Sequence, residues 1–282
     1  MIELLQERLA RYKAPDALAE EQALKEILQE LILYALWRNG FFDVAAFQGG
    51  TSLRILYELP RFSEDMDFIL IKPDESFEWH SVLPGVEQVL LEFGVTVEMT
   101  DRRESEGAVR RAMLKNDSLG GMLELGFEDD APRRKLRVKL EIDTNPPAGS
   151  SWERHFHDFP TDFLVISQDL SSNFALKMHA LLCRPCLKGR DWFDYLWYVR
   201  RGVAVNLGHL EHAIEQYGPW AGEGVRVDAA WLKQALARKI DEIDWTRAAA
   251  DVEPFLAETE RHSLELWSRE LFMDRVGRLK FG

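Results

Sequence analysis

The sequence predicts an α+β fold, with a mixed sheet and its helices in about the first 167 residues and a helical bundle from residue 168. Short β-prone apolar runs bounded by turn residues recur in the first part, whereas apolar residues in the second part recur at helical spacing. With 282 residues, 46% of them hydrophobic, the chain can bury a core. We expect two domains, 1–167 and 168–282.

The first part alternates helices and strands. The first predicted helix ends at Asn39-Gly40, a usual terminator, Thr51 and Ser52 can cap the second, and Pro60 prevents that helix from continuing far. The predicted elements are, in order, a helix over 19–38, a strand over 44–48, a helix over 53–59, a strand over 66–71, a helix near 84–94 and a strand over 95–99.

A hairpin is predicted next. GGMLELGF (120–127) and KLRVKLEID (135–143) are apolar and are separated by the turn-rich EDDAPRR. In the second strand, charged residues alternate with apolar ones, so one face is ionic and the other is apolar. TNPPAGS (144–150) then breaks the sheet, and the last helix is expected from about Thr259 to Val276.

The charge of the chain limits its function. A net charge of −13 argues against a protein that coats nucleic acid non-specifically, because such binding needs a basic surface. Two stretches, 133–139 and 176–190, are locally basic and are either solvated faces or binding surfaces. Apolar stretches are too short to span a membrane and the N-terminus lacks a secretory pattern, so we expect a cytoplasmic protein without membrane contact.

Cysteine and histidine pairs offer weak metal signals. Cys183 and Cys186 form a single CRPC without a second pair, which favours two reduced thiols over a zinc site. His155 and His157 form an H-x-H without nearby acids or cysteines, which favours ordinary surface residues.

Residues 49–68, GGTSLRILYELPRFSEDMDF, begin with a loop suited to phosphate. Gly49 and Gly50 allow backbone amides to approach an anion closely. Thr51 or Ser52 adds a hydroxyl at the start of a helix, where the dipole favours negative charge. The loop is therefore a candidate triphosphate site.

Carboxylates follow this loop. Asp65 and Asp67 are two residues apart at the start of a strand, so their side chains share a face, and two carboxylates plus phosphate oxygens suit Mg²⁺. Glu141 or Asp143 on the ionic face of the later strand can supply the third acid that two-metal nucleotidyl transfer needs. Taken alone, an Asp-x-Asp pair at a strand edge is more typical of exposed surface acids.

At this point the sequence resembles a known family. Residues 49–68 are similar to the first motif of the AbiEii/AbiGii-type nucleotidyltransferase toxins, members of the DNA polymerase β-like nucleotidyltransferase superfamily, in which a GG[ST] loop precedes D-x-D. VKLEID resembles the later strand that carries the third carboxylate. Residues 175–197, ALKMHALLCRPCLKGRDWFDYLW, are similar to the family's helical motifs with a lysine and then K-x-R-D-x-x-D.

The resemblance implies roles for individual residues. Asp65, Asp67 and Glu141, with Asp143 as the alternative, would bind metal, and Lys177 would contact the nucleotide phosphates. Arg184 lies about two helical turns from Lys177 and shares its face.

The second helical motif offers further candidates. Lys188 and Arg190 would extend the positive surface past Pro185. Asp191 and Asp194 are either catalytic or, in the case of Asp191, a helix cap.

Two further residues lie near the Asp-x-Asp pair. Ser63 would share the face of Asp65, as a hydrogen-bond partner of the metal site or as a target of self-modification. Arg61 is a candidate contact for the triphosphate.

The function implied by the resemblance is that of a type IV toxin. The enzyme would use Mg²⁺, in a two-metal arrangement, to transfer NMP from an NTP to an acceptor hydroxyl, foremost the 3′ end of tRNA, and would have a cognate antitoxin. The strand Arg133–Lys139 and the segment Arg184–Arg190 would contact the RNA. The alternatives are nucleotidylation of a protein and a catalytically silent nucleotide-binding or interaction module.

Overall fold

The computed structural model describes residues 1–102, 108–127 and 136–282. These residues form two compact units. Unit 1 comprises residues 1–57, 62–146 and 154–167, and unit 2 comprises residues 58–61, 147–153 and 168–282. The chain therefore passes from one unit to the other several times. The division into domains 1–167 and 168–282 stays a prediction.

Helices and strands alternate along unit 1. Its α-helices are α1 (Ile2–Tyr12), α2 (Ala17–Arg38), α3 (Gly49–Tyr57), α4 (Leu83–Glu92) and α5 (Leu119–Met122). The strands through residue 168 are β1 (Ala45–Gln48), β2 (Met66–Leu70), β3 (Val97–Arg102), β4 (Val109–Asn116), β5 (Leu136–Asp143), β6 (Trp152–His157) and β7 (Phe163–Gln168).

These strands form one mixed sheet in the order β3-β4-β5-β2-β1-β7-β6. β2 is parallel to β5 and antiparallel to β1, while β4 is antiparallel to β3 and β5. The predicted mixed sheet with helices is thereby confirmed.

The core of unit 1 explains the two faces of this sheet. β5 shows the predicted alternation, with four buried apolar residues between partly exposed ones. The buried face of the sheet and the buried apolar residues of α2 belong to one apolar cluster. The charged side chains of β2 and β5 therefore lie on the opposite face, where they are accessible.

Unit 2 contains most of the chain from residue 168 onward. Its elements are α6 (Leu170–Cys183), α7 (Gly189–Arg201), β8 (Ala204–Val205), α8 (Leu207–Gln216), α9 (Ala229–Asp241), α10 (Trp245–Val252), α11 (Glu258–Arg261), α12 (Arg269–Gly277) and β9 (Lys280–Phe281). Aromatic rings pack in its interior: Trp245 stacks on Phe272 with centroids 3.9 Å apart, and Trp192 meets both edge-on.

The predicted hairpin was wrong in its first strand. Residues 120–127 form the end of α5 and irregular chain, and the antiparallel partner of β5 is β4. Gly120 and Gly121 weaken any strand there, while β4 buries Ala112, Leu114 and Asn116 in alternation. The predicted turn 128–134 lies outside the described residues.

Other boundaries also differ from the prediction. α3 begins at Gly49, so Thr51 and Ser52 lie inside its first turn and do not cap it. β6 and β7 were not predicted, and the segment after residue 168 contains the two-stranded parallel pair β8–β9 as well as helices. The last predicted helix is divided into α11, a 3₁₀ turn over His262–Leu266 and α12.

Among the residues that the structure describes, none of the helices combines the length and apolar character needed to cross a membrane.

Candidate active site

The glycine loop and the acidic pair meet at the start of α3. Asp67 is paired with Gln48 in the β1–β2 register, and Gln48 is the residue immediately before Gly49. Gly49 has φ +75°, and a Cβ placed on it would lie 2.5 Å from Oδ2 of Asp67. The carboxylate of Asp67 therefore lies directly against the backbone at the helix N-terminus, a position that only glycine permits. Gly50 follows in the first turn of α3.

The two hydroxyls of the loop are buried. The Thr51 side chain donates a hydrogen bond to the carbonyl oxygen of Asp65, and Ser52 Oγ donates to the carbonyl oxygen of Gly49 at 2.9 Å. In this arrangement the Thr51 hydroxyl binds the main chain beside the acidic pair, and the Ser52 hydroxyl binds the main chain of its own helix turn.

The strand register distinguishes the two candidates for the third acid. Asp67 is paired with Glu141 in the parallel β2–β5 ladder, whereas Asp143 is paired with Ile69. Asp143 therefore lies two residues, about 7 Å, farther along the face. Burial raises the pKa of Asp143. Glu141 is the better placed partner for Asp67.

Two cations already contact these acids. Lys139 Nζ lies 3.3 Å from Asp65 Oδ2 and 3.1 Å from Glu141 Oε2, and Arg111 Nε donates to Glu141 Oε1 at 2.6 Å. Burial favours a higher pKa for Glu141, but the Arg111 and Lys139 ion pairs outweigh it and lower that pKa. Burial likewise opposes the charged form of Lys139, and the two acids nevertheless raise its pKa.

The chemistry of the donor atoms on this face suits a divalent cation. The Lys139 ammonium shows that the space between Asp65 and Glu141 accommodates positive charge, and carboxylate oxygens are the ligands that Mg²⁺ prefers. Among the described residues, no three acidic, histidine or cysteine side chains are yet grouped closely enough to hold a metal ion. A metal shared by the acids would therefore take the place of the ammonium.

A second group of charges is buried within unit 2. Arg61 donates to both oxygens of Asp194, at 2.6 and 2.7 Å. Lys177 Nζ lies 2.7 Å from Asp191 Oδ1 and 2.9 Å from Asp194 Oδ2, and Arg184 Nη1 lies 2.5 Å from Asp191 Oδ2. We call these five residues the buried ion network. It joins the segment 58–61 to α6 and α7.

Burial makes this network tightly coupled. Arg61 is 3% exposed and Asp194 is fully buried. Burial opposes ionisation of Asp191, but Lys177 and Arg184 outweigh it and lower the pKa of the carboxyl. Burial also opposes the charged form of Lys177, yet Asp191 and Asp194 raise the pKa of the ammonium.

Arg61 and Asp191, two predicted site residues, belong to this network, and a third, Arg190, packs on an aromatic ring. Arg61, a candidate triphosphate contact, is buried, and one edge of its guanidinium, Nε and Nη2, donates to both carboxylate oxygens of Asp194. Asp191 is not the N-cap of α7, because Lys188 occupies that position and Asp191 lies in the first turn. The guanidinium of Arg190 lies over the Phe255 ring at 4.3 Å.

Two residues that contact the region around Asp65 and Glu141 were not predicted from the sequence. Arg111 lies on β4, a strand that was not predicted. Its position opposite Glu141 depends on how β4 pairs with β5, which local sequence does not specify. Gln29 of α2 donates to the main chain at Ser63 and Glu64. Because α2 also buries Glu20, Glu26 and Glu30, a polar residue at position 29 gave no distinct signal. Arg133, Arg134 and Lys135 of the predicted RNA-binding strand lie outside the described residues.

The histidine and cysteine pairs have ordinary environments. His155 Nε2 lies 3.0 Å from the Tyr57 hydroxyl, and His157 Nε2 lies 2.8 Å from Glu30 Oε1. Cys183 and Cys186 are free thiols, the first half-buried and the second exposed.

The two thiols are expected to differ in reactivity. Burial raises the pKa of Cys183 to about 11, so little of it is thiolate at pH 8, and the thiolate is the nucleophile. Under limiting iodoacetamide at pH 8, peptide mass spectrometry should show Cys186 alkylated at least about tenfold faster. Alkylation of the two thiols in urea is the reference and should proceed at equal rates. Equal alkylation rates in the folded protein would contradict the burial of Cys183.

Comparison with known proteins identifies the family. Residues 31–274 match the family of the nucleotidyl transferase AbiEii toxin of type IV toxin–antitoxin systems. Because this match covers most of the chain, the protein belongs to the AbiEii nucleotidyltransferase family, and the recognition made from the motifs is confirmed. No match is found among curated proteins.

Solved structures include two similar chains from Helicobacter pylori. One is a proposed nucleotidyltransferase, with 16% sequence identity, a TM-score of 0.49 and coverage of 92% of this chain and 97% of the other. The second is JHP933, with 16% identity, a TM-score of 0.45 and coverage of 92% and 88%.

Proposed function

We propose that the protein transfers NMP from an NTP to an acceptor hydroxyl, with Mg²⁺ bound at Asp65, Asp67 and Glu141. The observation that carries this proposal is the contact between the Asp67 carboxylate and Gly49 at the N-terminus of α3. It places a proposed metal ligand against the N-terminus of a helix, where the helix dipole favours negatively charged groups such as phosphate. Membership of a nucleotidyl transferase family supports the same reaction.

The chemistry assigns simple tasks to the residues of unit 1. The N-terminus of α3 would bind the triphosphate, because the positive end of the helix dipole favours an anion. Bound Mg²⁺ supplies charge neutralisation and polarisation of the phosphoryl oxygens. The acceptor oxygen then forms a bond to the α-phosphorus, the bond to the β-phosphate breaks, and pyrophosphate leaves while the hydroxyl proton passes to a base.

We further propose that Lys177 contacts the nucleotide phosphates and that Asp191 and Asp194 act through it. Lys177 has three N–H donors, and Asp191 and Asp194 engage the ammonium from one side. A phosphate oxygen is the natural partner for a donor that remains. Asp191 and Asp194 would then act by holding Lys177 in place and charged.

The acceptor is proposed to be RNA, foremost the 3′ end of tRNA, and the family implies a cognate antitoxin. One set of observations favours a protein acceptor as the second candidate. Lys139 and Arg184, which were expected to face RNA, form ion pairs with acids of their own unit, and the net charge is −13.

A labelling experiment tests the reaction and its acceptor together. The chain is incubated with each α-³²P-labelled NTP, Mg²⁺ and total tRNA, and separately with a cell extract freed of nucleic acid. Asp67→Asn should reduce transfer at least about 100-fold, because it removes a metal ligand. Asp74→Asn is the matched control, since Asp74 is exposed and its carboxylate accepts hydrogen bonds from the neighbouring Ser76, and it should leave transfer unchanged.

The location of the label decides between the candidates. Label on tRNA that disappears with Asp67→Asn supports RNA nucleotidyl transfer and identifies the base. Label confined to protein supports the second candidate. If the wild-type chain labels neither preparation with any of the four NTPs, the catalytic proposal is wrong and a silent binding module remains.

A further inference from the structure

Three consecutive backbone carbonyls, those of residues 63–65, lie immediately before β2, the strand that carries Asp67. Ser63, Glu64 and Asp65 lie in irregular chain before β2. A ladder does not supply donors to irregular chain, yet buried carbonyls require partners. Each of these three carbonyls has a side-chain donor from a helix of unit 1.

The donors come from two buried side chains. The Gln29 amide uses both of its N–H groups, at 3.0 Å to the Ser63 carbonyl oxygen and 2.9 Å to that of Glu64. The Thr51 hydroxyl donates to the carbonyl oxygen of Asp65. Gln29 is 1% exposed and Thr51 is fully buried.

The other end of the Gln29 amide shows that this arrangement has a cost. Among the described residues, Gln29 Oε1 is buried with no hydrogen-bond partner. A buried polar atom without a partner is destabilising. An apolar residue on α2 would avoid that cost but would lack the two hydrogen bonds that Gln29 donates.

We propose that Gln29 and Thr51 are positioning residues that fix the main chain at 63–65 and thereby the carboxylates of Asp65 and Asp67. Asp65 is otherwise held at its side chain by Lys139, which a metal would displace. The backbone contacts persist when that ion pair is lost. This inference rests on the proposed function, since it concerns the same acids.

The test uses near-isosteric variants and two measurements that do not require catalysis. Gln29→Met removes both donors and the orphaned oxygen at similar volume, and Leu28→Met is the control for a substitution at a fully buried position of the same helix. Hydrogen–deuterium exchange is measured on peptides spanning 60–68. Mn²⁺ affinity is measured by electron paramagnetic resonance without NTP.

We expect Gln29→Met to exchange about tenfold faster over 60–68, because two hydrogen bonds are lost. Its Mn²⁺ affinity should fall about tenfold, the usual effect of losing support behind a metal ligand. The transfer kcat should fall while KM for NTP changes little. Leu28→Met should match the wild type in all three measurements.

Thr51 provides an independent check if Gln29→Met does not fold. Thr51→Val should show the same faster exchange and weaker Mn²⁺ binding, and Thr51→Ser should restore both because it keeps the hydroxyl. Wild-type exchange and Mn²⁺ affinity in a folded Gln29→Met or Thr51→Val variant would overturn the inference. A wild-type chain that positions the acids in this way but transfers no nucleotide would instead refute the proposed function.

Discussion

Replacing Gly49 by alanine is expected to reduce nucleotidyl transfer by at least about 100-fold while the protein remains folded. The new Cβ would lie 2.5 Å from Oδ2 and 3.0 Å from Cβ of Asp67, so the carboxylate must move. A displacement of about 1 Å of a catalytic group can cost about two orders of magnitude in rate. The initial rate with saturating NTP, compared with wild type, measures the effect.

Gly40→Ala is the matched control for backbone strain. Gly40 has φ +71°, close to the +75° of Gly49, but its new Cβ would meet only Asp43 Oδ2 at an ordinary 3.5 Å. Both variants therefore incur a similar cost in stability, about 1–2 kcal/mol. Equal transfer rates for the two variants would show that the Gly49–Asp67 contact does not matter for catalysis.

Asp194→Asn is expected to destabilise unit 2 by about 3–5 kcal/mol, because it leaves buried Arg61 without its counter-charge. Lys177 loses one of its two carboxylates in the same substitution. Urea denaturation followed by tryptophan fluorescence measures the change. The two units are fitted as separate transitions if the curves show two steps.

An exposed ion pair provides the contrast. Asp241 and Arg269 lie 2.6 Å apart but are each about half exposed, so Asp241→Asn should change stability by less than about 1 kcal/mol. The double variant Arg61→Met, Asp194→Leu should recover much of the loss, since replacing a buried pair by apolar residues is often neutral. A change below about 1 kcal/mol for Asp194→Asn itself would mean that the network is not buried in solution.

The sequence was informative about the fold where periodicity and turn residues agree. α2 ends at the predicted Asn39, and β5 carries the predicted ionic and apolar faces. β4 was missed because Arg111 and Lys115 are basic on its outward face and its inward residues include a small alanine and a polar asparagine. β6 was missed because four of its six residues are polar and none is fully buried, so no apolar alternation marks it.

Local spacing and register contributed differently to the candidate site. The spacing of Asp65 and Asp67 and the resemblance to the family located the motif, and the family itself is confirmed. The choice between Glu141 and Asp143 depends on the β2–β5 register, which local sequence does not specify. The pairing of Arg61 with Asp194 joins residues 133 positions apart, so no pattern within either motif indicates it.

The separation of Arg61 from Asp194 also has a consequence for synthesis on the ribosome. Residues 58–61 belong to unit 2, and the bidentate partner of Arg61 is made 133 residues later. At about 5–20 residues per second, that interval is roughly 7–27 s. During this time the nascent chain carries an arginine destined for burial with no acid to receive it, so unit 2 completes its charge balance only when α7 has emerged.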